Sequence, residues 1–118
     1  MSWDRGNRAP AWVAEYVRPW WPLAEKTPNS RPGRDIENTP GVAWEIKTSR
    51  QLALAAAIRQ AAGYAEPGEV PVVCYLPPGI GERSVGTAMC IMPLAVLMPV
   101  LAEAGYAPMP RTAREEGA

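Results

Sequence analysis

The sequence predicts a single α/β domain with a mixed central sheet flanked by helices. Three observations carry that reading. Residues 34–38 and 42–47 form two short strand-like segments around Thr39-Pro40-Gly41, a proline–glycine pair suited to a reversal. The run VPVVCYLPP at 70–78 is β-branched and apolar, as expected of a central strand. Segments with helical spacing precede, separate and follow these strands, so helices must cover the sheet.

Element by element, residues 1–9 are polar and read as a flexible arm. Pro10 suits a first helical turn, and Trp12, Val13, Tyr16 and Val17 follow at helical spacing until Pro19. WWPLAEK at 20–26 is short and ambiguous, an extended piece or a last helical turn, and TPNSRPG at 27–33 is loop. In VAWEIK, residues Val42, Trp44 and Ile46 share one face, and Ala43, Glu45 and Lys47 share the other. Thr48 or Ser49 is placed to cap an alanine-rich helix over about 49–65. TAMCIMPL at 87–94 reads as a further strand and 94–106 as a closing helix that tolerates Pro99. Residues 107–118 read as a flexible tail.

Composition narrows the chemistry. The 118 residues carry no formal net charge, yet residues 1–60 hold nine Lys/Arg against six Asp/Glu, and residues 61–118 hold three against six. The basic excess therefore lies in the half containing Asp35, Glu45 and Lys47. The chain has no histidine, which removes Ser-His-Asp and Cys-His catalysis and histidine-ligated zinc. What remains is carboxylates, lysine, or a metal held by oxygen. Cys74 and Cys90 sit in apolar runs and read as small core residues rather than a disulfide. No apolar run approaches the ~18 residues of a bilayer span, and the first residues do not resemble a secretory signal. The expected setting is the cytoplasm, with no membrane partner.

Glu45 and Lys47 lie on one strand face, about 6.5–7 Å apart. Asp35 precedes them on the adjoining segment, close enough to approach Glu45. Two converging carboxylates repel unless a proton or a cation joins them. Hard oxygen ligands favour Mg2+, with Mn2+ possible, and the Ile46 carbonyl between the charged pair supplies a third oxygen. PPGIG at 77–81 lacks the Gly-Lys-Ser/Thr of a phosphate loop and reads as a turn. Trp20 and Trp21 are expected to pack against the sheet rather than stack on bases.

GRDI followed by EIK resembles the PD-(D/E)xK nuclease superfamily, whose signature places D…(E/D)xK on a hairpin before a helix. Within it, the WWP…AE, GRD…TPG and ExKT segments look most like small Holliday junction resolvases of archaeal and phage type. The likeness spans about residues 12–78. It implies a restriction-endonuclease-like domain over 10–106 and metal-dependent hydrolysis of DNA phosphodiester bonds, at four-way or otherwise branched junctions. Apart from that resemblance, the apolar final strand and helix exceed what one face of this core needs and are expected to form a homodimer interface, a monomer with a well-covered sheet being the alternative; the cytoplasm is the host's if the chain is phage-encoded. By the same resemblance Asp35 and Glu45 bind metal, Lys47 is the catalytic lysine, and Glu15 joins them, with Glu25 as runner-up. Arg34 stands where the signature has proline. Arg31, Arg34, Thr48 and Arg50 are placed to meet DNA, and Arg59 or Gln60 lies on the helix after the lysine. The alternatives are a repair or restriction-type nickase with the same trio, and a DNA-binding protein that keeps the fold without cutting.

Overall fold

A computed structural model describes residues 2–110, with side chains from residue 5. Helix α1 (Ser2–Val17) is followed by β1 (Glu25–Lys26), β2 (Ile36–Glu37), β3 (Val42–Lys47), α2 (Leu54–Tyr64) and β4 (Val70–Tyr75). A 3-10 helix (Glu82–Thr87), β5 (Met89–Ile91) and α3 (Leu94–Glu103) complete the described chain. The expected α/β class with a mixed sheet is observed. β3 and β4 pair in parallel, Val42 opposite Val70 through Lys47 opposite Tyr75, and β5 joins β4 antiparallel. β1 and β2 form a separate two-stranded antiparallel sheet. Among the described residues no helix is long and apolar enough to cross a membrane.

The alternation of β3 seats the sheet between two helices. Trp44 and Ile46, with Val72, Cys74 and Leu76, pack against Ala9, Val13, Ala14 and Val17 of α1. On the opposite face Val73 meets Ala57 and Ala61 of α2. Small alanines let α2 approach closely, and the larger side chains are spent on the α1 side.

Four local expectations change. Residues 2–9 are not an arm: they are the first turns of α1, and Pro10 lies inside the helix. Gly6, Asn7 and Pro10 are poor helix formers, so propensity alone hides this start. Tertiary hydrogen bonds supply what propensity lacks. The Arg5 guanidinium donates to the carbonyls of Leu76 (2.9 Å), Pro77 (2.6 Å), Ile80 (2.5 Å) and Thr48 (3.2 Å). The tail expected over 107–118 lies, from residue 111, outside the described residues.

Second, the segment at 34–38 does not form a regular hairpin ladder with β3. β2 pairs with β1, Lys26 opposite Ile36, and touches β3 through the Asp35 amide donating to the Trp44 carbonyl at 3.0 Å. Third, α2 begins at Leu54, and neither Thr48 nor Ser49 caps it. The Thr48 carbonyl is held by Arg5 and the Ser49 carbonyl by the Tyr75 hydroxyl at 2.8 Å, which keeps this stretch out of the helix. Fourth, residues 82–87 form a 3-10 helix where a loop and the start of a strand are expected, leaving β5 only three residues.

Trp21 packs edge-on against Trp44, ring centroids 6.3 Å apart, as expected of a core aromatic. Trp20 does not: it is exposed and leans on Tyr16. Cys74 is buried, whereas Cys90 directly opposite it on β5 is exposed, so only one of the two is a core residue; both are free thiols.

Candidate active site

β3 carries Glu45 into the interior. The residue retains only 5% of its accessible surface, an unusual place for a carboxylate. The segment before β2 brings Asp35 beside it. The Asp35 amide bonds to the Trp44 carbonyl, and its carboxylate turns back to accept the Ile46 amide at 2.6 Å. That contact fixes Asp35 against the stretch of β3 that bears Glu45. Lys47 follows on the Glu45 face and is half-buried.

These residues line a cleft of about 280 Å³. Its floor is Glu45, Ile46 and Lys47 of β3, with Asp35 beside them. One wall is the segment Lys26–Arg31 and the other the Gly6, Asn7 and Pro10 face of α1. Pro10 has no N–H to bond the Gly6 carbonyl in the helix, so the turn facing the cleft holds a carbonyl without its usual partner.

The electrostatics follow from burial. Desolvation pushes the Glu45 carboxyl up, and the hydrogen bond and repulsion from Asp35 push it further, to about 8, while Lys47 pulls the other way. Burial and the neighbouring Asp35 thus favour the protonated form of Glu45 unless a cation takes the proton's place. The donor set fits a divalent cation: two carboxylates, plus the Ile46 carbonyl on the strand edge whose amide already faces Asp35. Among the described residues no third His, Cys, Asp or Glu joins them. A bound cation would keep several waters, which suits Mg2+ better than a metal needing a full protein cage.

The remaining expected site residues divide. Glu15 is exposed on α1 and does not line the cleft; the helix turns Gly6, Asn7 and Pro10 toward it instead. Glu25 is also exposed, on β1, within 3.5 Å of the Asn38 amide. Neither glutamate accompanies Asp35 and Glu45. Arg31 reaches the cleft rim and pairs with Glu37 at 3.0 Å.

Arg34 borders the cleft, but its guanidinium is committed elsewhere. It grips both oxygens of Glu69, at 2.6 and 2.9 Å, and donates to the Tyr64 carbonyl at 2.6 Å. Its partner's carboxyl is held down at about 2 by that grip. Arg34 therefore clamps the end of α2 to the segment entering β4 and is not free for phosphate. Thr48 is half-buried and borders α1 rather than the cleft. Arg50 is exposed on the following loop, and Arg59 and Gln60 are exposed on α2 away from the cleft.

The structure adds residues that spacing does not reveal. Lys26 enters the cleft wall and donates to the Asn7 carbonyl at 2.8 Å and its side-chain oxygen at 3.2 Å. Thr27 beside it is buried, and its hydroxyl has no partner among the described residues. A buried hydroxyl left without a bond costs roughly 1–3 kcal/mol, so its place in the wall of a polar cleft is informative. The sequence signal is faint: Lys26-Thr27 precedes a turn-rich loop, as many surface pairs do.

The cleft thus sets the acids of its floor beside Lys26, Lys47, Asn29 and Arg31; Lys26 and Asn29 already donate to Asn7, and Arg31 to Glu37. Comparison with protein-family models, with curated proteins and with solved structures gives no match for this chain.

Proposed function

We propose that the protein is a metal-dependent nuclease of the PD-(D/E)xK type, with a restriction-endonuclease-like domain. The observation that carries the reading is the buried Glu45 held in contact with Asp35 at the floor of a cleft that also contains Lys47. In a structural role such a pair costs stability, because burial and mutual repulsion both oppose its charge. In a nuclease the same pair holds Mg2+.

Asp35, Glu45 and the Ile46 carbonyl would hold the cation, which when bound would acidify a water and neutralise charge on phosphate. Lys47 would direct its ammonium at the scissile phosphate, where negative charge grows in the transition state. Lys26, Asn29 and Arg31 would position the flanking backbone. Glu15, Arg34, Arg59 and Gln60 take no part in this scheme. Choice of branched DNA, above all the four-way junction, rests on the sequence resemblance.

A second reading, a DNA-binding protein that does not cut, is favoured by one observation: among the described residues only two carboxylates converge, and one oxygen of Asp35 already accepts the Ile46 amide.

The test is cleavage of a labelled synthetic four-way junction, linear duplex and single strand, with Mg2+ or EDTA, by wild type and Lys47→Ala. Symmetric junction nicks that require Mg2+ and disappear in the variant are expected. Equal cutting of linear duplex would keep the nuclease and remove the junction preference. No cutting, together with no Mg2+-dependent rise in melting temperature, would leave the binding protein.

A further inference from the structure

The chain has two cysteines, and the fold sets them face to face. Cys74 lies on β4 and Cys90 is the middle residue of β5, directly opposite it in the antiparallel register. Directly opposed residues point to the same face of a sheet, so both side chains lie on the side that packs against α1. Opposed Cα atoms of an antiparallel pair stand about 4.5–5.5 Å apart, within the roughly 4.4–6.8 Å span of a disulfide. The two strands can therefore be bridged without leaving their register. Both residues are free thiols.

Their surroundings differ in a way that assigns them roles. Cys74 is 3% exposed, packed with Trp44, Ile46, Val72 and Leu76, and solutes do not reach it. Cys90 is exposed on β5, the edge strand of its sheet. The thiolate is the reactive form of cysteine. The neighbouring Cys74 thiol pulls that of Cys90 below its ordinary value, whereas Cys90 and burial push Cys74 up. An accessible, acidified cysteine beside a second one is the arrangement an oxidant converts to a disulfide. Packing accounts for Cys74, but not for an exposed cysteine placed directly opposite it.

We propose that Cys90 is a site of oxidation with Cys74 as its resolving partner, the pair closing a reversible disulfide between β4 and β5 in response to hydrogen peroxide. The Cys90 thiolate attacks one peroxide oxygen: an S–O bond forms, the O–O bond breaks and hydroxide leaves. Cys74 then gives up its proton and its sulfur attacks that of Cys90. The S–S bond forms, the S–O bond breaks, and the departing hydroxide takes the proton to become water. Overall the two thiols lose two electrons and two protons, and one peroxide becomes two waters. The bond pins β5, which is three residues long and pairs with β4 at three positions. With it is fixed the root of α3, which only Met92 and Pro93 separate from β5. The inference goes beyond the nuclease reading and uses none of the cleft residues.

The test uses the full chain, reduced, freed of reductant and held in EDTA, then treated with a small excess of hydrogen peroxide. Wild type should lose both thiols, its monomer mass falling by two hydrogens and peptide mapping joining Cys74 to Cys90. Dithiothreitol should restore both thiols. The oxidised chain should melt several degrees above the reduced one, because the bond closes a loop in the unfolded chain. Cys74→Ala should stop at a Cys90 sulfenic acid that dimedone traps. In Cys90→Ser, Cys74 should react at least about tenfold more slowly than Cys90 does in Cys74→Ala, because the thiol is buried. Circular dichroism should show the fold of Cys90→Ser kept, since the residue is exposed. The wild-type mapping needs no substitution and decides the matter even if Cys74→Ala fails to fold. Thiols that survive peroxide, a bond between chains instead of within one, unchanged melting on oxidation, or Cys74 reacting as fast as Cys90 would each overturn the proposal.

Discussion

The cleft and the C-terminal helix invert the usual distribution of residues in opposite senses. At the cleft a carboxylate is buried where a hydrophobe is expected; at α3 a run of hydrophobes is exposed where charges are expected. Isolated exposed apolar residues are ordinary, but a buried charge and a contiguous apolar surface are not. The first region is held by side-chain hydrogen bonds between residues far apart in sequence, such as Arg5 with Ile80 and Arg34 with Glu69. Around α3 the bonds are those of its own backbone. The cleft is therefore built from parts of the chain distant in sequence, whereas α3 makes no substantial contact with another element among the described residues.

The contrast is tested most severely at the cleft floor. Lys47→Ala and Asp35→Asn should each lower Mg2+-dependent DNA cutting by about 100-fold or more, read as initial rates, because charge stabilisation at the reacting phosphate is worth several kcal/mol. Equal rates in either variant would detach the buried charges from catalysis.

Next is the clamp beneath the cleft. Arg34→Met leaves Glu69 without its partner, the two side chains being 22% and 15% exposed, and should cost about 3 kcal/mol in urea unfolding. Glu69 is held at about 2 in the fold, below its ordinary 4.5. Its contribution is therefore present above pH 4.5 and lost as pH falls through 2, and the gap between wild type and variant should narrow over that range.

Glu45 has the reverse sign. Its folded value, about 8, exceeds the unfolded 4.5, so the folded chain holds its proton more tightly. Its contribution to the stability of the metal-free protein is full below pH 4.5 and lost as pH rises through 8. In EDTA the melting temperature should fall by several degrees between pH 5 and 9, and Glu45→Gln should flatten that fall. Mg2+ should also flatten it, by taking the proton's place.

The smallest effect is expected outside both regions. Arg59→Ala and Gln60→Ala should change cutting by less than about twofold, since exposed charges remote from a site act weakly through screened solvent. A larger loss would show that DNA extends across α2.

Local chemistry along the chain is enough to give the class of fold, the order of the longer elements and the trio Asp35, Glu45 and Lys47. Period-two alternation puts Glu45 and Lys47 on one face of β3, Thr39-Pro40-Gly41 marks the reversal, and short separation brings Asp35 near. The absence of histidine limits the chemistry whatever the fold.

Which other residues join the trio is settled by packing between elements. Glu15, the natural choice on α1, faces away because the packing of Val13, Ala14 and Val17 fixes the helix's rotation. Arg34 is withdrawn from the cleft by Glu69, thirty-five positions later. Lys26 and Thr27 enter it through the pairing of β1 with β2. The helical start of α1 depends on Arg5 reaching carbonyls more than forty residues away. One cause is common to all four. Side-chain direction and hydrogen-bond partnership across such separations arise only when distant elements pack, and no local period or turn signal encodes them.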